Sequence, residues 1–453
     1  MKMLLGGVLF LRKIKTGREI AMNMTERYQE VFNGMKGEIA ARKRAGAFAA
    51  LGYTSNLDVL SRFDTEILNG LLEKYLPGED LANMKMPDCI ETMEDFLRTT
   101  VEYCRSGKGG EAEIRDVSIL DGIFETANGM GGTATQGALA LAEVGCPSIV
   151  HLTDDSKEVC DILNSPYIYT ADADGNLIHT GRVSQKEEQE IHYIMQFKKG
   201  DVIRLGSKEI TIPNSNRLII TKITVNATVP FNEGYFSYIE NHAEDVRSNV
   251  LSSFNCLKNR ELLERRLQYV SRHVEKYRAA NSHGIAYFEN AHFHDPLIQE
   301  LCYKMICPIS DIISLNEEEL KAALSDYGFQ VDIEDIRSVI AGTQFLRDRF
   351  HVRKGVIVHT KDYSMYCGDS LEADIEKGLI YGNLMATSKA MNGWYGDMEK
   401  IAEVMKLPFS PKGTECREKA CSDAVVVPSR YLDRPKYTIG LGDSFVAGVQ
   451  ICF

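Results

Sequence analysis

The sequence predicts an α/β protein: a large domain built on a mainly parallel sheet covered by helices on both faces, plus a smaller α+β lid domain. Three observations point there. Residues 220–453 alternate short apolar runs with stretches of helical period, the pattern of strand–helix–strand units. Residues 117–153 read as strand, glycine turn, small-residue helix and second strand. Residues 165–222 change texture, with short alternating segments broken by DGN, KGD and GS turns, as in an antiparallel meander.

At 453 residues the chain has room for two domains, and its 44% hydrophobic content suits a globular core. A net charge of -12 argues against a nucleic-acid or anionic-membrane partner and leaves small molecules as the expected ligands. The expected assembly is a monomer or small homo-oligomer. The 11 cysteines contain no C-x-x-C pair, and an odd, scattered set fits reduced thiols in the cytoplasm. The apolar run at residues 3–11 is too short to span a bilayer, and Arg12, Lys13 and Lys15 follow it without a small-residue cleavage site. Residues 1–23 are therefore expected to be a disordered or non-native extension, with Met22 or Met24 as the natural start.

Taken in order, residues 25–44 are a charged helix, and 45–60 (AGAFAALGYTSNLDVL) read as a buried strand ending in a polar turn. Asn56 and Asp58 lie two apart, so in extended chain both point to one side. An amide beside a carboxylate can donate to and accept from sugar hydroxyls, although an Asx turn explains the pair equally simply. Residues 62–105 are helical in pattern, and SGKGG at 106–110 is a break. The strand at 117–127 runs into NGMGGTATQGALALA at 128–142 and then a strand at 147–153. Residues 217–225 return to a buried strand, 231–255 read as acidic helix, and 261–279 as an amphipathic helix. Three further strands each carry polar residues at their ends: 285–291 with Glu289 embedded, 311–315 leading into Asn316-Glu-Glu-Glu319, and 354–360 with His359. The resulting division assigns 24–60, 116–163 and 217–453 to the large domain, and 61–115 with 164–216 to the lid.

The closing stretch, TIGLGDSFVAG at 438–448, organises the chemistry. Gly440 and Gly442 permit a tight turn and close approach of a ligand to the main chain. Asp443 stands where a helix begins, so unpaired amides can hold an anion beside a carboxylate able to take a proton. An N-cap role alone would also place an aspartate there. Acids at 317–319 likewise favour a helix start whatever their function. Glu289 is more telling, because an unpaired carboxylate within an apolar strand is costly. Neither a Walker A sequence nor the H-R-D set of protein kinases occurs.

Five stretches together resemble the ADP-dependent glucokinase/phosphofructokinase family, of ribokinase-like fold. They are Asn56-Leu-Asp58, Met130-Gly-Gly-Thr-Ala134, Phe288-Glu-Asn290, Asn316-Glu-Glu-Glu319 and Gly440-Leu-Gly-Asp443, in family order. The resemblance implies a ribokinase-like large domain with a lid, and transfer of the β-phosphoryl of ADP to a sugar or sugar-phosphate hydroxyl with release of AMP. It implies that Asp443 is the base, and that the amides of Gly440, Leu441 and Gly442 form the anion hole. Asn56, Asp58, Gly131 and Gly132 would bind the acceptor. Arg217 would contact nucleotide phosphate, with His359 and Tyr363 near the adenine. Glu289, Glu319 and Asn316 would position Mg²⁺, mainly through water. One departure stands out: Tyr287 occupies the place of the histidine in the family's H-x-E pattern.

Two rivals remain open at this level. Gly129, Gly131 and Ala134 have G-x-G-x-x-A spacing and acids follow the next strand, a loose dinucleotide fingerprint that would suit an NAD-dependent oxidoreductase. A non-catalytic sugar- or nucleotide-binding relative is the other.

Overall fold

The computed structural model describes residues 23–186, 188–293, 295–420 and 424–453. The expected extension at 1–23 thus lies, but for Asn23, outside the described residues. A ten-stranded sheet runs in the order Val425–Pro428, Tyr363–Gly368, Gly355–His359, Ile312–Asn316, Ile285–Glu289, Val246–Leu251, Phe48–Leu51, Ser148–Val150, Ile168–Ala171, Leu177–His179. From Gly355–His359 to Ile168–Ala171 every neighbouring pair is parallel. Antiparallel strands finish both edges.

Residue alternation along these strands explains the layering. Ala50, Leu251, Phe288, Ile313 and Val356 enter one core, with Phe236, Leu267, Ile306 and Leu346 from the helices covering that face. Leu51, Val250, Tyr287, Ile312 and Ile357 point the other way, into a core shared with Tyr28, Ala138, Leu379 and Phe445. Both faces are covered, as the near-continuous apolar strands require.

A second sheet of five strands runs Gly110–Glu113, Asn216–Lys222, Ile191–Phe197, Asn56–Ser61, Thr126–Gly131. It packs its own core of Leu68, Leu72, Phe96, Val101, Tyr193, Met195 and Ile220 against the helices Thr65–Tyr75 and Met93–Ser106. Among the described residues no helix is long and apolar enough to cross a membrane.

Sheet membership departs from the sequence reading in several places. The single strand expected over 45–60 is two strands in different sheets, Phe48–Leu51 in the large and Asn56–Ser61 in the small. Strands Thr126–Gly131 and Asn216–Lys222 also join the small sheet, whereas Ile168–Ala171 and Leu177–His179 extend the large one. Residues 231–255 contain the helix Glu233–Asn241 and then the central strand Val246–Leu251. Local pattern identifies a strand but carries no address for its partner, and that is where the boundaries slipped.

The dinucleotide reading is overturned by the same topology. Strand Thr126–Gly131 is antiparallel to Asn56–Ser61, with Gly129 opposite Asp58, in the small sheet. The helix Thr133–Glu143 then delivers the chain to Ser148–Val150 of the large sheet. A dinucleotide fold needs that helix to cross between parallel strands of one sheet; here it bridges two sheets.

Candidate active site

The parallel strands of the large sheet end together, and three of the expected residues sit on those ends: Glu289, Asn316 and His359 are the last residues of their strands. Asn316 lies opposite His359 in the ladder, and Glu289 opposite Ser314.

Asp443 occupies the first turn of the helix Leu441–Gln450 and is half-buried. Gly440 caps that helix with φ 64°, a left-handed conformation that a side chain would strain, and no side chain caps the amides that follow. The helix Thr133–Glu143 begins the same way, on Gly132 with φ 88° and no side-chain cap. Elsewhere Asp64, Thr92, Asn232, Asn259, Asp335 and Asp397 fill this role at other helices. The two glycine-capped starts therefore keep amides available to an anionic ligand.

Asn56 and Asp58 are both buried, at 2% and 4% exposure, and the Asn56 amide donates to the Asp58 carboxylate at 2.7 Å. Gly131 faces them across the ladder, and a Cβ there would collide with both side chains. Burial raises the Asp58 carboxyl to about 6, partly offset by His192, the Asn56 hydrogen bond and Lys389, while Asp443 pushes it up further. Asp443, on the helix Leu441–Gln450, thus acts on Asp58 of the small sheet across the space between them.

The groups around Asp58 extend beyond the sequence reading. His192 lies 3.9 Å from Asp58 and 3.7 Å from the buried Glu190. Burial lowers the affinity of this imidazole for its proton, but Glu190 and Asp58 outweigh burial and raise its pKa. Glu190 in turn accepts from the Thr224 amide at 2.6 Å and hydroxyl at 2.8 Å. Lys389, 2% exposed, donates to the Gln136 side-chain oxygen at 2.6 Å and to the Gly440 carbonyl at 3.2 Å. Sequence pattern hides Lys389 because it is the second of two lysines, after Lys377, in the helix Ile375–Asn392; only its position among buried neighbours sets it apart.

At the strand ends, His359 Nε2 sits 3.3 Å from Glu289 Oε1. Its ring also packs on Phe445 at 4.8 Å, and a Cβ on Gly442 would touch it at 3.3 Å. His359, expected beside the adenine, instead joins Glu289 to the glycine–aspartate turn. Burial pushes Glu289 up to about 7, opposed by His359 and assisted by Glu319. Glu319 and Asn316 form a capping box, the Asn316 side chain accepting from the Glu319 amide at 2.9 Å and Glu319 from the Asn316 amide at 3.1 Å. The Asn316 side-chain oxygen is thereby engaged by the helix rather than turned to a ligand. Buried Asn290 approaches Glu319 at 3.5 Å and accepts from the Tyr303 hydroxyl at 2.9 Å.

One expected nucleotide residue falls elsewhere. Tyr363 is 1% exposed within the large-sheet core, the wrong environment for a residue stacked on a bound base. Arg217 stands on the small sheet opposite Gln196, where its charge acts on the Tyr437 hydroxyl at the approach to the 438–443 turn.

A wide parallel sheet with strand ends rich in acids, a smaller sheet carrying a buried amide–carboxylate pair, and a glycine–aspartate helix start between them define a protein of ribokinase-like fold. Residues 48–450 match the conserved region of the ADP-specific phosphofructokinase/glucokinase family, and the chain belongs to that family. An ADP-specific phosphofructokinase of Pyrococcus abyssi is 22% identical over 435 residues, covering 88% of this chain and 96% of that protein. An ADP-dependent glucose/glucosamine kinase of Pyrococcus furiosus is 24% identical over 434 residues, covering 88% and 93%. The fold is shared with the solved phosphofructokinase from Pyrococcus horikoshii with AMP, at a TM-score of 0.74, 20% identity and 90% and 97% coverage.

Proposed function

We propose that this protein transfers the β-phosphoryl group of ADP to a hydroxyl of a sugar or sugar phosphate and releases AMP. The observation that carries this reading is that Asp443 acts on the buried Asp58 carboxyl while both act on Lys389, which bonds the Gly440 carbonyl at 3.2 Å; this supports an acceptor-binding carboxylate and a candidate base sharing one cleft. The acceptor oxygen attacks the β-phosphorus, its proton passes to Asp443, and the bond from that phosphorus to the bridging oxygen breaks to leave AMP. Asn56, Asp58 and the main chain at Gly131 and Gly132 orient the acceptor. The uncapped amides of Leu441 and Gly442, on the Gly440 turn, meet the charge that builds on the transferring group. Arg217 approaches donor phosphate from the small sheet, which we read as a cover that keeps water from the reaction.

The acids at the strand ends suit Mg²⁺. Glu319 raises the proton affinity of Glu289, burial raises that of both, and Glu289 Oε2 is buried without a hydrogen-bond partner. Two adjacent carboxylates with an unsatisfied oxygen are what a hydrated divalent cation would relieve. Among the described residues no three acidic, imidazole or thiol side chains converge as direct ligands, so Glu289 and Glu319 would hold the ion largely through water. The ion would supply charge neutralisation of the donor phosphates. No disulfide is formed among the described cysteines, which supports a reducing, cytoplasmic setting.

The relatives named above include both a phosphofructokinase and a glucose/glucosamine kinase, and a solved relative is an ADP-dependent kinase complex with fructose-6-phosphate and an ADP analogue. The deciding experiment is a panel of sugars and sugar phosphates offered with ADP and with ATP in parallel. AMP formation that needs both ADP and one acceptor is expected; no AMP with any acceptor would end the proposal.

A further inference from the structure

Lys389 is a buried lysine at the cleft, and its hydrogen bonds are unusual. Its ammonium donates to two neutral oxygens, Gln136 Oε1 at 2.6 Å and the Gly440 carbonyl at 3.2 Å. Each belongs to the first turn, or the cap, of one of the two glycine-capped helices. Gln136 also accepts from the Tyr395 hydroxyl at 3.2 Å. The ammonium lies 4.1 Å from the centre of the Tyr395 ring and 5.7 Å from that of Tyr437. No carboxylate of the described residues pairs with it at contact distance; Asp443, on the helix Leu441–Gln450, and Asp58, on the small sheet, act on it from further off. A staple between helices needs no charge, and burying one is costly. A charge placed between two functional carboxylates needs a reason in the reaction.

We propose that Lys389 is a positioning residue: it ties the acceptor end of the cleft to the phosphoryl-transfer turn, and its charge keeps Asp58 and Asp443 in working order. This rests on the phosphotransfer reading above. Through Gly440 it sets the turn from which the 441–443 amides point, and through Gln136 it fixes the start of the helix that follows Gly131 and Gly132.

Burial holds the Lys389 ammonium down to about 8, with Asp443 and Asp58 opposing the shift. The amine is thus mostly charged at neutral pH and loses its charge above pH 8. The other titratable groups facing it do not titrate there. Tyr395 and Tyr437 are both pushed upward by burial, and Asp58 is ionised above about 6.

The test compares wild-type enzyme with Lys389→Met and Lys389→Arg across pH 6–10, measuring kcat and both KM values, with melting curves alongside. Lys389→Met should lose about 100-fold in kcat with ADP KM little changed. Lys389→Arg should recover part of that loss and move the alkaline fall in kcat, centred near pH 8 in the wild type, upward by about a unit or more, because a guanidinium does not titrate there. Lys389→Met within about threefold of wild-type kcat, or an alkaline limb unmoved by arginine, overturns the assignment. Should Lys389→Met fail to melt cooperatively, the arginine profile alone decides. A wild type that turns over no acceptor defeats the underlying reading and this assignment together, whereas wild-type turnover retained by Lys389→Met defeats this assignment alone.

Discussion

The imidazole of His359 stands 3.3 Å from the Glu289 carboxylate although the two residues are 70 positions apart. A histidine is absent two residues before Glu289, where Tyr287 is instead buried in the core, and the neighbouring Gly355–His359 strand brings one to that acid from the side. A group that hydrogen-bonds a metal-holding carboxylate typically changes metal affinity by about 10–100-fold when removed. His359→Ala is expected to raise the Mg²⁺ concentration for half-maximal rate by about tenfold. A Mg²⁺ titration of initial rates decides it, and an unchanged midpoint would detach His359 from the metal.

Asp443→Asn keeps the shape of the helix start but removes the proton acceptor. Turnover should fall by about 10²–10⁴ while acceptor binding is largely kept. Single-turnover rates together with equilibrium titration of the acceptor separate the two effects, and near-normal turnover would exclude Asp443 as the base.

Asp58 gives a pH dependence of definite sign. Its carboxyl is raised from 3.8 to about 6, so the folded chain binds a proton between those values that the unfolded chain has released. Asp58 therefore contributes stability that is full below pH 3.8 and is lost as pH rises through about 6. Acceptor binding runs the opposite way, because the ionised form accepts hydroxyl hydrogen bonds at both oxygens. The acceptor KM should rise as pH falls below 6, and Asp58→Asn should flatten that profile. An acid limb retained in Asp58→Asn would assign it to another group.

Gly131→Ala would put a methyl group onto the Asn56 amide and the Asp58 carboxylate. The acceptor KM should rise by about tenfold or more with the ADP KM little changed, since the clash lies on the small sheet. Equal increases in both would show that the substitution had disturbed the whole cleft.

The parts of the site written in contiguous sequence were legible. Gly440-Leu-Gly-Asp443 before an apolar run encodes a left-handed cap and a helix start, and the helix begins at Leu441. Acids and His359 at the ends of apolar runs became the ends of parallel strands. What depends on distant partners was not legible. Residues 48–51 and 56–61 look like one strand because each is apolar and only residues 52–55 divide them, yet they pair with different sheets. The family resemblance implies a place for Tyr363 near the adenine, but strand alternation turns it into the core. Lys389 and His192 carry no local pattern; their meaning comes from Gln136, Gly440, Glu190 and Asp58, each far away along the chain or on a different element.

The splitting of residues 48–61 between two sheets has a consequence for how this family can diversify. The proposed acceptor contacts Asn56 and Asp58 lie on the five-stranded sheet, while Glu289 ends a strand of the ten-stranded one and the proposed base Asp443 starts the helix Leu441–Gln450 packed on its face. Substitutions that reshape the first can exchange one sugar for another and leave donor chemistry intact. A swap of small-sheet segments between relatives that differ in acceptor is therefore the natural route to re-targeting this enzyme.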